Sequence, residues 1–365
     1  MNFRNKLLAP ITTVPAALQN AHFASLDGLR GIAVLIVVFA HLGGNHLLKP
    51  FHLSVNSRTG VDLFFVLSGF LITSILLKER VAKGSVSLQR FYIRRIFRIV
   101  PAAYAFLFLV CLLNLFLPLH IGLRDFLASL FFLKNLPMPN EPFTAHFWSL
   151  AVEVQFYIIF PFLLVTNINR YIIIALTLVI GITVIAICAE HISITAQYPE
   201  IRWLVKLSRY AFWKGPVIIL IGSLLSILMF KGIINIKAIS KPDLIAALLI
   251  MMALVITANS FVSYTRYLSE IVAALLFAIT ILISLKGGCF LSSTFLVKVG
   301  VMSYSIYIWQ ELFIGTHAWQ PWLKFMAGYP VAELIIIKLV LLAALSFLSY
   351  YFIERVFLRI KTKFE

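Results

Sequence analysis

Charge is scarce in this sequence. Only 12% of its 365 residues are Asp, Glu, Lys or Arg. An ordinary soluble domain carries about 25%, so the shortage excludes a soluble globular fold. Acidic residues are scarcer still, 14 against 31 basic ones, and the net charge is +17. No basic, aromatic-interleaved stretch stands apart from the apolar runs, which argues against a nucleic-acid partner. Basic residues that flank membrane spans explain the charge instead. Cysteine is rare too. Cys111, Cys188 and Cys289 are odd in number and dispersed, which argues against a disulfide framework and against a metal site. No internal repeat or duplicated half is visible, and that counts against transporter symmetry. No soluble catalytic domain is expected, so any chemistry must use membrane helices and short loops.

What is present is hydrophobic sequence, 61% of the residues, with a mean hydropathy of +0.98. The expectation is an all-α, polytopic integral membrane bundle of about ten helices, at 30–48, 60–78, 97–117, 147–166, 171–189, 211–230, 243–261, 267–285, 299–317 and 333–352. The first run has no small-residue cleavage site after it and reads as a retained helix rather than a signal peptide. Segment 123–134, LRDFLASLFFLK, is too short to span and reads as an interfacial helix. With both termini cytoplasmic, basic residues favour the inner side by roughly two to one. The division is a short cytoplasmic segment, 1–24, a membrane domain, 25–358, and a basic cytoplasmic tail, 359–365. Only the first 20 or so residues are candidates for disorder.

Several segments carry ionisable groups where a membrane makes them costly. In SLDGLRGIAVLIVVFAH, Arg30 and His41 lie eleven positions apart. On a helix that is about three turns, which puts them on one face and roughly 16 Å apart. Read with Arg30 at the cytoplasmic boundary, His41 falls near mid-membrane. Asp27 can cap the helix and pair with Arg30. Arg30 alone reads equally well as a topological anchor, whereas His41 is a functional candidate. Asp62, near the start of the second span, either orients His41 as in a triad or caps its own helix. Ser68 is a candidate nucleophile, although small residues beside Gly69 favour packing.

The segment RFYIRRIFRIVP, 90–101, reads as a cytoplasmic loop with Arg90, Arg94, Arg95 and Arg98. Arginine without lysine favours bidentate contact with a phosphate-bearing cytosolic ligand, and topology or lipid headgroups are the alternative. Glu153 lies about two turns inside an apolar span, where a carboxylate must be protonated or paired. Structural pairing with a tyrosine or arginine is the alternative. The closing segments KVGVMSYSIYIWQELF and SYYFIERVF are rich in Ser, Tyr and Trp. Interfacial aromatics account for part of that, and Glu354–Arg355 reads equally as a surface pair.

Together these segments resemble the membrane-bound acyltransferase 3 family, whose members acylate O-antigens, other envelope polysaccharides and Nod factors. The LDGLRG start with its Arg-x10-His spacing, GVDLFFVLSGFLI, RRIFRIVP, FWSLAVEVQFYIIFP, SYSIYIW and SYYFIER match family segments in order, over about residues 25–358. The resemblance implies transfer of an acyl group, usually acetyl, from cytosolic acyl-CoA to a hydroxyl of an extracytoplasmic or lipid-linked glycan. It maps the catalytic histidine onto His41, its paired arginine onto Arg30, the Arg-x-x-Arg element onto Arg95 and Arg98, and the intramembrane glutamate onto Glu153. Gln310 stands where many members have histidine, and Val356 where proline is usual. The expectation is a stand-alone transferase without an appended esterase-like domain.

The expected catalytic residues are therefore His41, Glu153 and Asp62, and the expected acyl-CoA ligands are Arg30, Arg94, Arg95 and Arg98. Acetyl-CoA is the co-substrate, a glycan or lipid-linked saccharide the acceptor, and membrane lipids the surroundings. The expected location is the bacterial inner membrane. The competing readings are a flippase for a lipid-linked sugar and a non-catalytic subunit of an envelope-synthesis complex.

Overall fold

The computed structural model describes residues 3–51, 54–117, 119, 121–136, 142–191, 199–208, 215–236, 240–258, 266–314 and 330–361. Every regular element among the described residues is a helix. In chain order these are α1 (Phe3–Leu8), α2 (Ala24–His41), α3 (Gly44–Leu48), α4 (Ser57–Lys83), α5 (Leu88–Phe116), α6 (Leu123–Leu130), α7 (Phe147–Thr166) and α8 (Ile168–His191). There follow α9 (Pro199–Ser208), α10 (Pro216–Phe230), α11 (Pro242–Ala258), α12 (Arg266–Ser284), α13 (Thr294–Val301), α14 (Ser303–Phe313), α15 (Val331–Ser349) and α16 (Arg355–Lys361). A π-helical turn, Tyr350–Glu354, joins the last two, and a few single 3₁₀ turns complete the set.

Six helical runs among the described residues are long and apolar enough to cross a membrane. They are α2, α4, α5, α7, Ile168–Cys188 of α8, and Ala332–Ile360 through the π turn. Ten were expected. The segments at 211–230, 243–261 and 267–285 form shorter apolar helices, Pro216–Phe230, Pro242–Ala258 and Leu268–Ser284, and residues 211–214 and 259–261 lie outside the described residues. The segment at 299–317 is broken: Met302 turns between α13 and α14, and 315–317 lie outside the described residues. Hydropathy alone does not register that break, because Met302 is itself apolar.

The register of the first span also differs. α2 starts at Ala24 and stops at His41, where Gly43, at φ +84°, takes the left-handed conformation that ends it. Arg30 thus lies about 9 Å inside the helix, and His41 is its last residue rather than a mid-span one. The N-terminal segment is docked rather than disordered. Leu18 is buried, and Lys231 donates to the Ala9 carbonyl at 2.5 Å. Residues 1, 2 and 362–365, with Lys363 of the basic tail, lie outside the described residues. The short α6, eight residues and so too short to span, has Leu123 and Leu127 exposed and Asp125 buried.

The bundle is built around α4. In its apolar window 78% of the residues are buried, against 33% for α5. Asn56 caps its start by accepting from the Arg58 backbone N–H at 3.0 Å, and Gly84 ends it at φ +73°. α4 packs against α2, α10 and α12. Against α10 the backbones nearly touch: a methyl on Gly69 would lie 1.9 Å from the Ile219 carbonyl oxygen, and one on Gly222 2.0 Å from that of Val66. Hydroxyls pair beside that contact, Thr73 with Ser223 at 2.7 Å and Ser74 with Ser226 at 2.8 Å. Close packing by small residues and hydrogen bonds between helices is how helices associate where lipid removes the hydrophobic drive. The same device joins α2 to α13, where a methyl on Gly300 would meet the Asp27 carbonyl oxygen at 1.8 Å and one on Gly31 that of Leu296 at 2.4 Å.

Gly222→Val should therefore force α4 and α10 apart, at a cost of about 1–3 kcal/mol. The expected result is a lower melting temperature and a smaller monodisperse fraction in detergent. An unchanged melting curve would show that the two backbones do not depend on this contact.

Candidate active site

A cavity of about 250 Å³ lies among α2, α4, α5, α7 and α14. Arg30, Ser68, Arg95, Arg98, Ser149, Glu153, Tyr157, Ser303, Tyr304 and Tyr307 supply its polar lining, and Val61, Leu71, Ile72 and Ile75 of α4 part of its apolar wall. Residues 90–101 are not a loop. They open α5, whose first turn is capped by the Ser87 hydroxyl accepting from the Arg90 N–H. Arg95 and Arg98, three apart, share the cavity face. Arg94 lies about 100° further round the helix, faces α4, and stands 3.4 Å from Glu79. Glu79 also accepts from the Ser87 N–H at 3.2 Å, so Arg94 secures the α4–α5 turn rather than the cavity.

The cavity lining holds three arginines and one carboxylate. Glu153 is paired by tyrosine as well as serine: Ser68 donates to its Oε1 at 2.6 Å and so does the Tyr157 hydroxyl. The Arg95 guanidinium lies 5.3 Å from the centre of the Phe91 ring and 5.7 Å from that of Tyr157, and its buried Nε has no hydrogen-bond partner. Arg30 stands 3.8 Å from Asp27, as the spacing suggested. The π turn brings in a further carboxylate, Glu354, which is buried, accepts from Ser305, and is near enough for its charge to act on Arg98 and Arg30. It is no surface pair.

His41 stands at the far end of α2 from Arg30, partly exposed. Its Nδ1 is buried and without a hydrogen-bond partner. Gln310 of α14 is the side chain beside the ring, and no hydrogen bond closes between the two. Asp62 keeps other company, in a buried cluster with Arg58 and Glu270 of α12. Arg58 lies 3.8 Å from Asp62 and 3.2 Å from Glu270, and 5.7 Å from the centre of the Trp148 ring. The expected triad-like approach of Asp62 to His41 is replaced by this pairing, because Arg58 one turn earlier offers an opposite charge.

Sequence reasoning passed over His146. It precedes α7, is 4% exposed, and sits edge-on to Phe106 and Phe147 with ring centres 5.0 Å away. Burial, with the charges of His41 and Lys134 adding to it, lowers its pKa and keeps the ring neutral. Its carbonyl accepts from Ser149 at 3.0 Å and from Tyr307 at 3.3 Å, and both hydroxyls reach the cavity. The signal was available: HFWSLAVEV begins with this histidine, one residue outside the apolar run that drew attention.

Four helices long and apolar enough to cross a membrane, together with the short α14, surround an arginine-lined cavity, and the features point to an integral membrane protein. The family model described as an acyltransferase domain matches residues 23–354, and the chain belongs to the acyltransferase 3 family. Similar curated proteins include the O-acetyltransferase OatA of Staphylococcus aureus strain NCTC 8325 / PS 47, 29% identical over 363 residues, 91% of this chain and 57% of the relative. Another, from strain COL and carrying a provisional O-acetyltransferase name, is 41% identical over 158 residues, 40% of this chain and 25% of the relative. The matches thus span between a quarter and somewhat over half of those relatives' lengths. No solved structure matches.

Ser68→Ala and Tyr157→Phe each remove one hydrogen bond to Glu153, worth about 1.5–3 kcal/mol if the carboxylate is charged. Both variants should melt at lower temperature in detergent, and the double variant lower again. Wild-type melting of all three would show that Glu153 is held by other groups.

Proposed function

We propose that this chain transfers an acyl group, acetyl foremost, from cytosolic acetyl-CoA to a hydroxyl of a cell-envelope or lipid-linked glycan such as O-antigen. The observation that carries this reading is the cavity shared by Arg30, Arg95 and Arg98. Arginine binds phosphate through two parallel hydrogen bonds, and Arg95, whose buried Nε has no hydrogen-bond partner, leaves that capacity open beside Arg30 and Arg98. A space of about 250 Å³ suits the narrow pantetheine arm better than a whole nucleotide. Family membership and the names of the relatives support acyl transfer and acetyl as the group moved. The basic-residue distribution supports a bacterial inner membrane with both termini cytoplasmic.

In this reading Arg95 and Arg98 hold the donor's phosphates, and the thioester travels past Arg30 towards His41. Arg94 fixes the turn from which α5 starts. His41 takes the proton of the acceptor hydroxyl as its oxygen attacks the thioester carbonyl. The C–S bond breaks, the CoA thiolate receives that proton, and the products are an acetyl ester and free CoA. Glu153 serves as counter-charge to the arginines, and Asp62 acts from a distance, by holding Arg58 beside Trp148.

The test is incubation of purified protein with radiolabelled acetyl-CoA and envelope glycan. Labelled glycan is expected from the wild type, and none from His41→Ala, which should still insert and fold. A flippase would give no labelled glycan at all, and transfer retained by His41→Ala would remove that residue from the chemistry. Arg95→Ala combined with Arg98→Ala should weaken acetyl-CoA binding at least ~100-fold, since each charged hydrogen bond is worth about 1.5–3 kcal/mol. Unchanged affinity would leave these arginines a topological role only.

A further inference from the structure

His41 has a conspicuous second side. Its Nδ1 is buried and unpartnered, although the ring as a whole is partly exposed. A histidine base needs the nitrogen that does no chemistry to be held, because that contact selects the tautomer and aims the other nitrogen. A carboxylate is the common solution, and Asp62 and Glu153 were the candidates. Both are engaged elsewhere, Asp62 with Arg58 and Glu153 with Ser68 and Tyr157.

The side chain beside the His41 ring within the bundle is Gln310. It is fully buried, on a helix that packs against α2, and neither its Oε1 nor its Nε2 has a hydrogen-bond partner. Its amide neighbours the His41 ring, and no hydrogen bond closes between them. Leaving a buried carboxamide unpaired costs about 1–3 kcal/mol per group, so a purely structural residue here would more economically be apolar. His146, the other ring near His41, is buried and lies beside the Ile308 backbone.

We propose that Gln310 is the positioning residue of His41. Its Oε1 accepts the Nδ1–H, which fixes the tautomer and leaves the Nε2 lone pair to take the acceptor's proton. This rests on the acyl-transfer reading above. The imidazolium formed in the transfer then has no carboxylate beside Nδ1, and the proton passes on to the departing thiolate.

Two measurements test it. In the radiolabel assay, Gln310→Leu should lower kcat about 100-fold, within the span of general-base contributions. Its KM for acetyl-CoA should stay within about twofold, and its melting temperature should not fall, as expected when an unpaired buried amide becomes apolar. Gln310→Glu, which keeps an acceptor in place, should recover most of the lost kcat. Wild-type kcat in Gln310→Leu, a loss matched by a fall in melting temperature, or a Glu variant as inactive as the Leu variant would overturn the assignment. The second measurement needs no turnover: ¹⁵N NMR of histidine-labelled protein, with the His41 signals identified by their loss in His41→Ala. The wild type should show the Nδ1–H tautomer and Gln310→Leu a mixture. Identical spectra would refute the role of Gln310, whereas absent transfer with the tautomer shift intact would count against the acyl-transfer reading alone.

Discussion

A guanidinium enclosed by membrane helices has to be met by negative charge or by hydrogen-bond acceptors, since an unpaired ion there costs several kcal/mol even after relaxation. Arg30, Arg95 and Arg98 impose that constraint together. Glu153 answers from α7, Asp27 from the start of α2, and Glu354 from the π turn. Each acid arrives on a different element, so the helices that wall the cavity are fixed relative to one another by the charges they share. Glu153 is in turn held by α4 and by its own helix, through Ser68 and Tyr157.

Such charges need a rigid frame, and close backbone contact provides it. α4 meets α10 through Gly69 and Gly222, and α2 meets α13 through Gly31 and Gly300. These contacts leave no room for a side chain, so helices that carry Arg30 and Ser68 have little freedom to slide. The two glycines of LDGLRG thereby acquire a packing role, because Gly28 faces the Leu291 carbonyl and Gly31 that of Leu296. The Asp62–Arg58–Glu270 cluster adds a second ionic tie, between α4 and α12.

Local sequence was sufficient for what depends on one helix. The all-helical class, the shared face of Arg95 and Arg98, the Asp27–Arg30 pair and the half-burial of Glu153 all follow from composition and 3.6-residue periodicity. It was insufficient where a partner comes from far along the chain. Arg94 and Arg95 are adjacent, and only the position of Glu79 on α4 separates their roles. Asp62 finds Glu270 beside its partner Arg58, and no spacing rule connects α4 with α12. Helix ends were misjudged for a related reason. Met302 and the end of α2 at His41 lie in apolar runs, where hydropathy stays high after the helix has stopped.

The π turn at Tyr350–Glu354 stores one residue more than an α-helix of the same rise would hold. It is therefore a phase shifter: everything after it is rotated by about 100° relative to α15. That offset lets α15 keep Ile336 and Val340 outward while Glu354 points into the bundle. Chains of this architecture should tolerate many substitutions in this turn yet few single-residue deletions. Losing one residue would relax the turn to α-helix and swing the carboxylate away from the arginines towards lipid.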